Sequence, residues 1–339
     1  MLTIAERINA ERIVLAGWSR AILLQLAHPL VAQGVADHSS FSRTHGNADW
    51  SAEAVAEAER RPVRRSAKRE EGLGAPKPTG EGGPNAERQT PNTERLAHRG
   101  REAKGARQAK AAGTLFSAAT RLHHTVQAMR HLTFGDAPQA RAALDGILAI
   151  HRRVNGTLAD AVGPYPAGTP YSAEDPSLVL WVHATLLDSL PRVYEAVVRP
   201  ITGSERDAWC RESAPVARAL GAGDDVPETW AEAQAYMSEM LANGRIVVSD
   251  TARDLAADVL APRFSTLVAP WRAMNRVVTV GLLPPAVRAQ YGFAWSASDD
   301  ATLARTLRGL RTFRRLTPEV LALWPDARRA RTSKALQSP

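Results

Sequence analysis

Apolar residues recur along most of the chain at the spacing expected of α-helices. The first apolar stretch covers residues 13–27. Thr3 and Glu6 before it have the spacing of a capping box, and Pro29 after it is expected to break or kink the helix. From Leu115 to the end, the helical spacing returns. Because no run alternates with a period of two for long enough to require a sheet, the sequence predicts an all-α fold.

Later helices are predicted from apolar stripes and from signals that start helices. A turn is expected over residues 134–136. The stripe after it consists of Leu144, Ile147, His151, Val154 and Leu158. Asp175 and Pro176 have the order of an N-cap and first-turn pair, so a long apolar helix is expected over residues 177–198, at the centre of the core. The remaining helices are expected over 205–220, 227–241, 251–260, 267–280, 302–313 and 318–323, with 245–248 as a candidate strand.

Residues 46–113 interrupt this pattern, because Gly, Pro, Ala, Arg and Glu dominate and no apolar period is visible. They predict a disordered basic insertion within a single helical domain of residues 1–325, and residues 326–339 are expected to form a disordered tail. Residues 60–110 carry 14 Lys and Arg against 6 Asp and Glu, a net +8, while the rest of the chain balances at 29 against 29. Such a segment can act as a basic arm that touches nucleic acid or acidic lipid, but because aromatic residues are almost absent from it, no nucleic-acid partner is expected.

Cys210 is the single cysteine, which excludes a disulfide within the chain and any all-cysteine metal site. The first residues lack the pattern of a secretory signal, and polar residues interrupt the apolar run 13–36. We therefore expect no membrane span and a cytoplasmic location. The motifs of zinc proteases, di-iron bundles, phosphate-binding loops and covalent haem attachment are absent from the sequence. The remaining candidate chemistry is that of histidine.

Histidines occur on three apolar helical stretches, at His124, His151 and His183. A buried imidazole needs a hydrogen-bond partner, a metal or a proton to exchange, so three of them together indicate a site. Arg121, His124 and Thr125 are spaced to share one face of a helical turn, which suits a small polar ligand such as dioxygen. The same triplet is also typical of a solvent-facing helix edge. His28 is expected at a helix end, bonding free carbonyls.

His151 and His183 each allow two interpretations. A neutral His151 fits a metal ligand, and Arg152 after it suits anionic groups such as porphyrin propionates. His183 has Thr185 and Asp188 as candidate orienting partners. For both histidines the alternative is a core side chain bonded to a backbone carbonyl.

Five stretches of the sequence carry a resemblance to a known family. They are residues 23–29, 35–41, 132–136, 171–176 and 180–186. On these residues the chain resembles the helical family that includes the rubber oxygenases (latex-clearing proteins) and the fungal oxygenase of mycophenolic acid synthesis. The resemblance runs from about Arg7 to Trp295, apart from the insertion. It implies a globin-like bundle of helices around a buried pocket for haem b, and cleavage of isoprenoid double bonds by dioxygen.

The resemblance also implies roles for individual residues. The essential polar set of the rubber oxygenases has the form Arg-x-x-Lys-Thr, which Arg121, His124 and Thr125 match with His124 in the place of the lysine. The proximal iron ligand follows about one helix pair later, where His151 stands. The resemblance therefore implies His151 as the iron ligand and His183 as a supporting residue of the cofactor pocket. Replacing lysine by histidine exchanges a flexible point charge for a ring that can be neutral.

The leading hypothesis is a haem-dependent oxygenase that acts with dioxygen on a small intracellular hydrophobic substrate, for which isoprenoids are candidates. A second is a non-haem metal or metal-free oxidoreductase that uses His28, His151 and His183. A third is a binding protein of the same fold without catalysis, with the Arg-rich insertion as its contact segment.

Overall fold

The computed structural model describes residues 1–38, 124–260 and 269–336. Within them the fold is all-α, as predicted, apart from one two-stranded hairpin. The predicted insertion at 46–113 lies outside the described residues. The helices are α1 (Ile4–Ala10), α2 (Leu15–Leu26), α3 (Pro29–His38), α4 (124–134), α5 (Ala137–His151), α6 (Pro176–Val197), α7 (Gly203–Ala219), α8 (Trp230–Ala242), α9 (Asp250–Leu260), α10 (Ala269–Gly281), α11 (Pro285–Gln290), α12 (Ala297–Leu316), α13 (Glu319–Ala322) and α14 (Pro325–Leu336).

Helix starts are set by side chains that cap the first free N–H groups. The predicted capping box at α1 is present: Glu6 N donates to Thr3 Oγ1 at 3.3 Å, and Thr3 N donates to Glu6 Oε2 at 2.8 Å. At α6, the N-cap Asp175 accepts a hydrogen bond from Ser177 N at 2.8 Å, with Pro176 in the first turn. These local signals fix where the helices begin without help from the rest of the fold.

Helix α6 is the central element, as its apolar composition predicted. It packs chiefly against α2 and also touches α7, α8 and α12. Trp181 in its first half is fully buried, in one cluster with Leu23 and Leu24 of α2, whereas Val193 in its second half packs in a cluster with Leu310 of α12. A helix that is buried on nearly all sides holds the rest of the bundle in place.

Pro29 separates α2 from α3, and the chain bends there by 106°. Among residues 1–38, 124–260 and 269–336, no single helix has both the length and the apolar composition to cross a membrane. Arg12–Leu26 and Pro29–His38 pass that test only as a pair, across this bend.

A short antiparallel hairpin joins α5 to α6. It pairs β1 (Asn155–Thr157) with β2 (Pro170–Ser172). The apolar stripe that predicted helix as far as Leu158 is wrong beyond His151, because Asn155 and Gly156 follow the helix end and pair with β2 instead. Gly156 is required there, since a Cβ atom would lie 2.5 Å from Tyr171 Oη.

Two further expectations are wrong. Residues 245–248 form no strand, because the Gln290 side chain satisfies this backbone: it accepts from Val248 N at 2.9 Å and donates to Ile246 O at 3.3 Å. The expected disordered tail is helical as α14, because Ala327 is fully buried and Trp324 N donates to Ala10 O at 3.0 Å.

A buried ion pair links α2 to α6. Arg20 Nη2 lies 2.8 Å from Asp188 Oδ2, and both side chains are 3% exposed. Arg20 also donates to Ser189 Oγ and to Leu282 O, each at 2.6 Å. Gln234 Nε2 of α8 donates to Asp188 Oδ1 at 3.0 Å. Burial by itself raises the pKa of Asp188. The charge of Arg20, together with the hydrogen bonds that Arg192 and Gln234 donate to the carboxylate, brings that pKa below its ordinary value.

Candidate functional site

His151 is the last residue of α5, at the junction with the hairpin. The junction is tied down by Ala173 N, which donates to Val154 O at 2.8 Å. The His151 ring is half-buried, and its Nδ1 atom is buried without a hydrogen-bond partner. Burial lowers the pKa of His151 although nearby Glu174 opposes this effect. The ring is therefore neutral at neutral pH, the form in which histidine binds metals.

His183 lies seven residues beyond Pro176, which is about 10 Å along α6. Its Nε2 atom is buried without a hydrogen-bond partner, and burial lowers the pKa of His183 to about 4. The orienting partners predicted for it are wrong. Thr185 Oγ1 donates to Val182 O at 2.7 Å, and Asp188 is occupied by Arg20. The imidazole of His183 is thus a second neutral group with an unused nitrogen.

Helix α4 carries two of the three polar residues at which the resemblance places oxygen chemistry. His124 is half-buried and Thr125 is exposed, whereas the next residue, Val126, is buried. Arg121 lies outside the described residues. Met129 packs against the cluster that holds Leu187 of α6. Helix α4 therefore packs near Leu187, which is one turn beyond His183 on α6.

Arg152 is the C-cap residue of α5, directly after His151. Its backbone N–H donates to Leu148 O at 3.0 Å, and its side chain is exposed. The Arg152 side chain is therefore at the surface, next in sequence to the half-buried His151.

His28 has a partner that the sequence did not reveal. It is buried at the junction of α2 and α3, and its Nε2 atom lies 3.0 Å from Tyr165 Oη. The expectation that it would bond free carbonyls is therefore wrong. Burial lowers the pKa of His28 to about 4, and Arg245 adds to this effect while Asp175 opposes it. Because Tyr165 is 137 residues away in an irregular loop, no local pattern could have found this pair.

The described histidines do not converge on one metal. Across residues 1–38, 124–260 and 269–336, no group of three His, Cys, Asp or Glu side chains is placed to hold a metal ion. His28, His151 and His183, considered together as ligands of a non-haem centre, are therefore not a joint ligand set. They are held by different elements, namely the junction of α2 and α3, the end of α5, and the first half of α6.

Comparison with known families agrees with the resemblance drawn from the sequence. A family model described as "ER-bound oxygenase mpaB/B'/Rubber oxygenase, catalytic domain" matches residues 6–69 and 97–312. Since this is most of the chain, the protein belongs to that family of oxygenase catalytic domains. The matched ranges omit residues 70–96 and include both ends of the segment predicted as an insertion. No curated protein and no solved structure matches the chain.

Proposed function

We propose that this protein is a haem-b-dependent oxygenase that uses dioxygen to oxidise a small intracellular hydrophobic substrate of the isoprenoid class. Its family supports the oxygenase activity. The observation that carries the cofactor is that His151 Nδ1 and His183 Nε2 are buried without a hydrogen-bond partner, as His28 Nδ1 also is, and that the resemblance places His151 at the proximal ligand. Buried polar atoms nearly always have a hydrogen-bond partner, and a bound ligand would supply one.

The described donors fit haem better than a metal held by the protein alone. A non-haem iron centre of the common oxygenase type takes two histidines and a carboxylate, and no such group of three exists among the described residues. Haem requires one proximal side chain, and a neutral, half-buried His151 meets that requirement. When bound, haem would supply the iron centre at which dioxygen is activated.

His151 would hold the iron, because the resemblance puts the proximal ligand at this position and the junction with the hairpin fixes its backbone. Arg152 would pair with a propionate at the rim of the pocket, where its exposed side chain stays solvated. His183 is more deeply buried and would line the pocket as a neutral group that can donate or accept one hydrogen bond.

His124 would act on the oxygen side of the pocket, together with Arg121. A neutral imidazole can accept a proton at one nitrogen and donate one at the other, which a permanently charged lysine in that position cannot do. Thr125, which is exposed on α4, would lie at the entrance and organise this turn. The substrate would be held mainly by apolar contacts, since the side chains with which α2 and the first half of α6 pack together, such as Leu23, Leu24 and Trp181, are apolar.

The test uses the full-length protein produced with added haem precursor and read by its absorption spectrum. We expect a Soret band and one haem per chain. His151→Gly is expected to lose the band and to regain it when imidazole is supplied, because free imidazole can occupy the space left by the side chain. His183→Ala is expected to retain haem with a shifted spectrum. His131→Ala, on α4, is the matched control and should match the wild type.

Three results would contradict the proposal. Absence of a Soret band from folded protein would exclude haem, and stoichiometric iron without that band would favour a different centre. If His183→Gly rather than His151→Gly lost haem and recovered it with imidazole, the ligand assignment would be wrong although the cofactor would stand.

A further inference from the structure

Large apolar side chains are exposed together at one corner of the fold. Phe313 and Leu316 at the end of α12 are 65% and 78% exposed, and Val320 and Leu321 of α13 are 52% and 61% exposed. These four residues, here called the corner patch, lie within nine positions of the chain. Among the described residues, the other exposed large hydrophobics are Met1, Val35 and Ile150, which lie far from them in sequence. A cluster of this kind marks an interaction surface more often than single exposed residues do.

The corner patch belongs to a well-anchored part of the fold. On the inner side of α12, Leu310 is buried, and Arg314 forms two hydrogen bonds to Glu11, at 2.6 and 2.7 Å. Arg311 donates to the carbonyl oxygens of α6 near its end. Beyond the patch, Leu323 is buried again. The exposed side chains are therefore held outward by a fixed backbone.

Exposed arginines border the apolar side chains along α12. Phe313 and Leu316 are three residues apart, so they share one side of the helix. Arg308 and Arg315 are seven residues apart and share the other edge of the exposed face, about 80–100° round the helix axis from Leu316 and about 140–160° from Phe313. The outer surface of α12 thus has an apolar edge and a basic edge, with Leu316 the apolar residue nearer to the arginines.

The basic edge is not neutralised by the described residues. None of the ion pairs within residues 1–38, 124–260 and 269–336 involves Arg308 or Arg315. Arg308 Nε donates to Ala304 O of its own helix at 3.3 Å, which leaves its charge uncompensated. Glu319, the carboxylate nearest to Arg315 in sequence, is paired with Arg331. The surface therefore suits a partner that is both apolar and negatively charged.

We propose that the corner patch docks the protein on an anionic membrane surface. The four apolar side chains would enter the boundary between headgroups and acyl chains, and Arg308 and Arg315 would meet lipid phosphates. A second copy of the chain fits less well, because a symmetric contact would bring the same arginines together. The segment 60–110 of this chain also fits less well, because it carries a net +8. The proposal does not depend on the cofactor.

Flotation of the full-length protein with lipid vesicles tests this proposal. We expect binding to vesicles that contain phosphatidylglycerol and much weaker binding to pure phosphatidylcholine. Phe313→Ser with Leu316→Ser should lower the partition coefficient about tenfold or more. Arg308→Glu with Arg315→Glu should lower it by a similar factor and remove the preference for anionic lipid. All variants change exposed side chains, so their thermal midpoints should stay close to that of the wild type, which checks that they fold.

The control variant, Arg141→Glu with Arg211→Glu, makes the same change of charge on the exposed surfaces of α5 and α7. It should bind within about threefold of the wild type, since long-range charge is screened within a Debye length of about 10 Å. Equal binding by all variants would assign membrane binding to another surface and overturn the proposal. No vesicle binding by the wild type would also overturn it. So would a dimer in sedimentation that Phe313→Ser and Leu316→Ser convert to monomers.

Discussion

Replacing Arg20 by methionine should unfold this protein at much lower denaturant concentration. The substitution keeps the length and apolar stem of the side chain but removes the guanidinium. Asp188 Oδ2 then loses its ion-pair partner at 2.8 Å, and Leu282 O and Ser189 Oγ each lose a donor at 2.6 Å. Arg192 remains on the other oxygen of Asp188, where it lies 2.7 Å away with 41% of its side chain exposed.

The expected cost follows from the burial of this group. Breaking a buried ion pair by removing one partner costs about 3–5 kcal/mol, because the other charge stays buried. Arg20→Lys should cost less, about 1–2 kcal/mol, because one ammonium keeps the charge but cannot reach three separate acceptors. Arg20→Met with Asp188→Leu should recover part of the loss, because no carboxylate is then left buried without its partner.

Urea unfolding followed by circular dichroism at neutral pH measures these differences. Arg141→Met is the matched control, since Arg141 is 75% exposed and paired only with Asp145 on the surface, so a change within about 0.5 kcal/mol is expected. Because the pKa of Asp188 is lowered in the folded state, the stabilisation should persist at mildly acidic pH and be lost once this carboxyl is protonated. A loss below about 1 kcal/mol for Arg20→Met would refute the reasoning.

Three further predictions concern other parts of the fold. His28 should contribute up to about 3 kcal/mol to the fall in the free energy of unfolding between pH 6.5 and 4, because burial lowers its pKa to about 4 and only the unfolded chain takes up the proton. His183, whose pKa burial also lowers to about 4, should contribute over the same range, so His28→Gln, which can still accept from Tyr165, should remove only the share of His28 from the pH profile of urea unfolding. Gly156→Ala should lower the thermal midpoint because its Cβ would lie 2.5 Å from Tyr171 Oη, and adding Tyr171→Phe should restore part of it; no recovery would contradict the clash. Cys210 should react with a thiol reagent only after unfolding, because burial raises the pKa of its thiol to about 12; rapid labelling of the native protein would contradict this.

The sequence predicted those parts of the fold that depend on local signals. Helix α6 follows Asp175 and Pro176, which cap its first turn regardless of what packs against it. The turn before α5 is likewise set locally, by the Asp136 side chain, which accepts from Gln139 N at 2.8 Å. The family was also readable from the sequence, because its residues lie in short continuous stretches.

The errors arose where distant residues decide the structure. Residues 245–248 have the composition of a strand, but the Gln290 side chain takes the place of a neighbouring strand. The chain after Pro325 reads as a polar tail, yet Arg130 of α4 pairs with Asp326 and holds it. No pattern within either segment carries this information.

The candidate site shows the same limit. Asp188 was expected to orient His183, five residues away on the same helix, but Arg20 binds it from 168 positions away. The environment of a polar side chain in the core depends on which helix packs beside it, and that choice is not encoded in local spacing. His151 and His183 could be nominated from the sequence, while the unused nitrogen of each was visible only in the structure.

The contacts of the first helices have a consequence for the synthesis of the protein. Glu11 is bonded to Arg314, 303 positions later, and Arg20 to the carbonyl of Leu282, 262 positions later. At about 5–20 residues per second, the ribosome needs about 15–60 s to synthesise the chain from Glu11 to Arg314. Through that interval the apolar side chains of α1 and α2 have none of these late partners. The N-terminal helices are therefore the part of the nascent chain that most needs a chaperone to cover it.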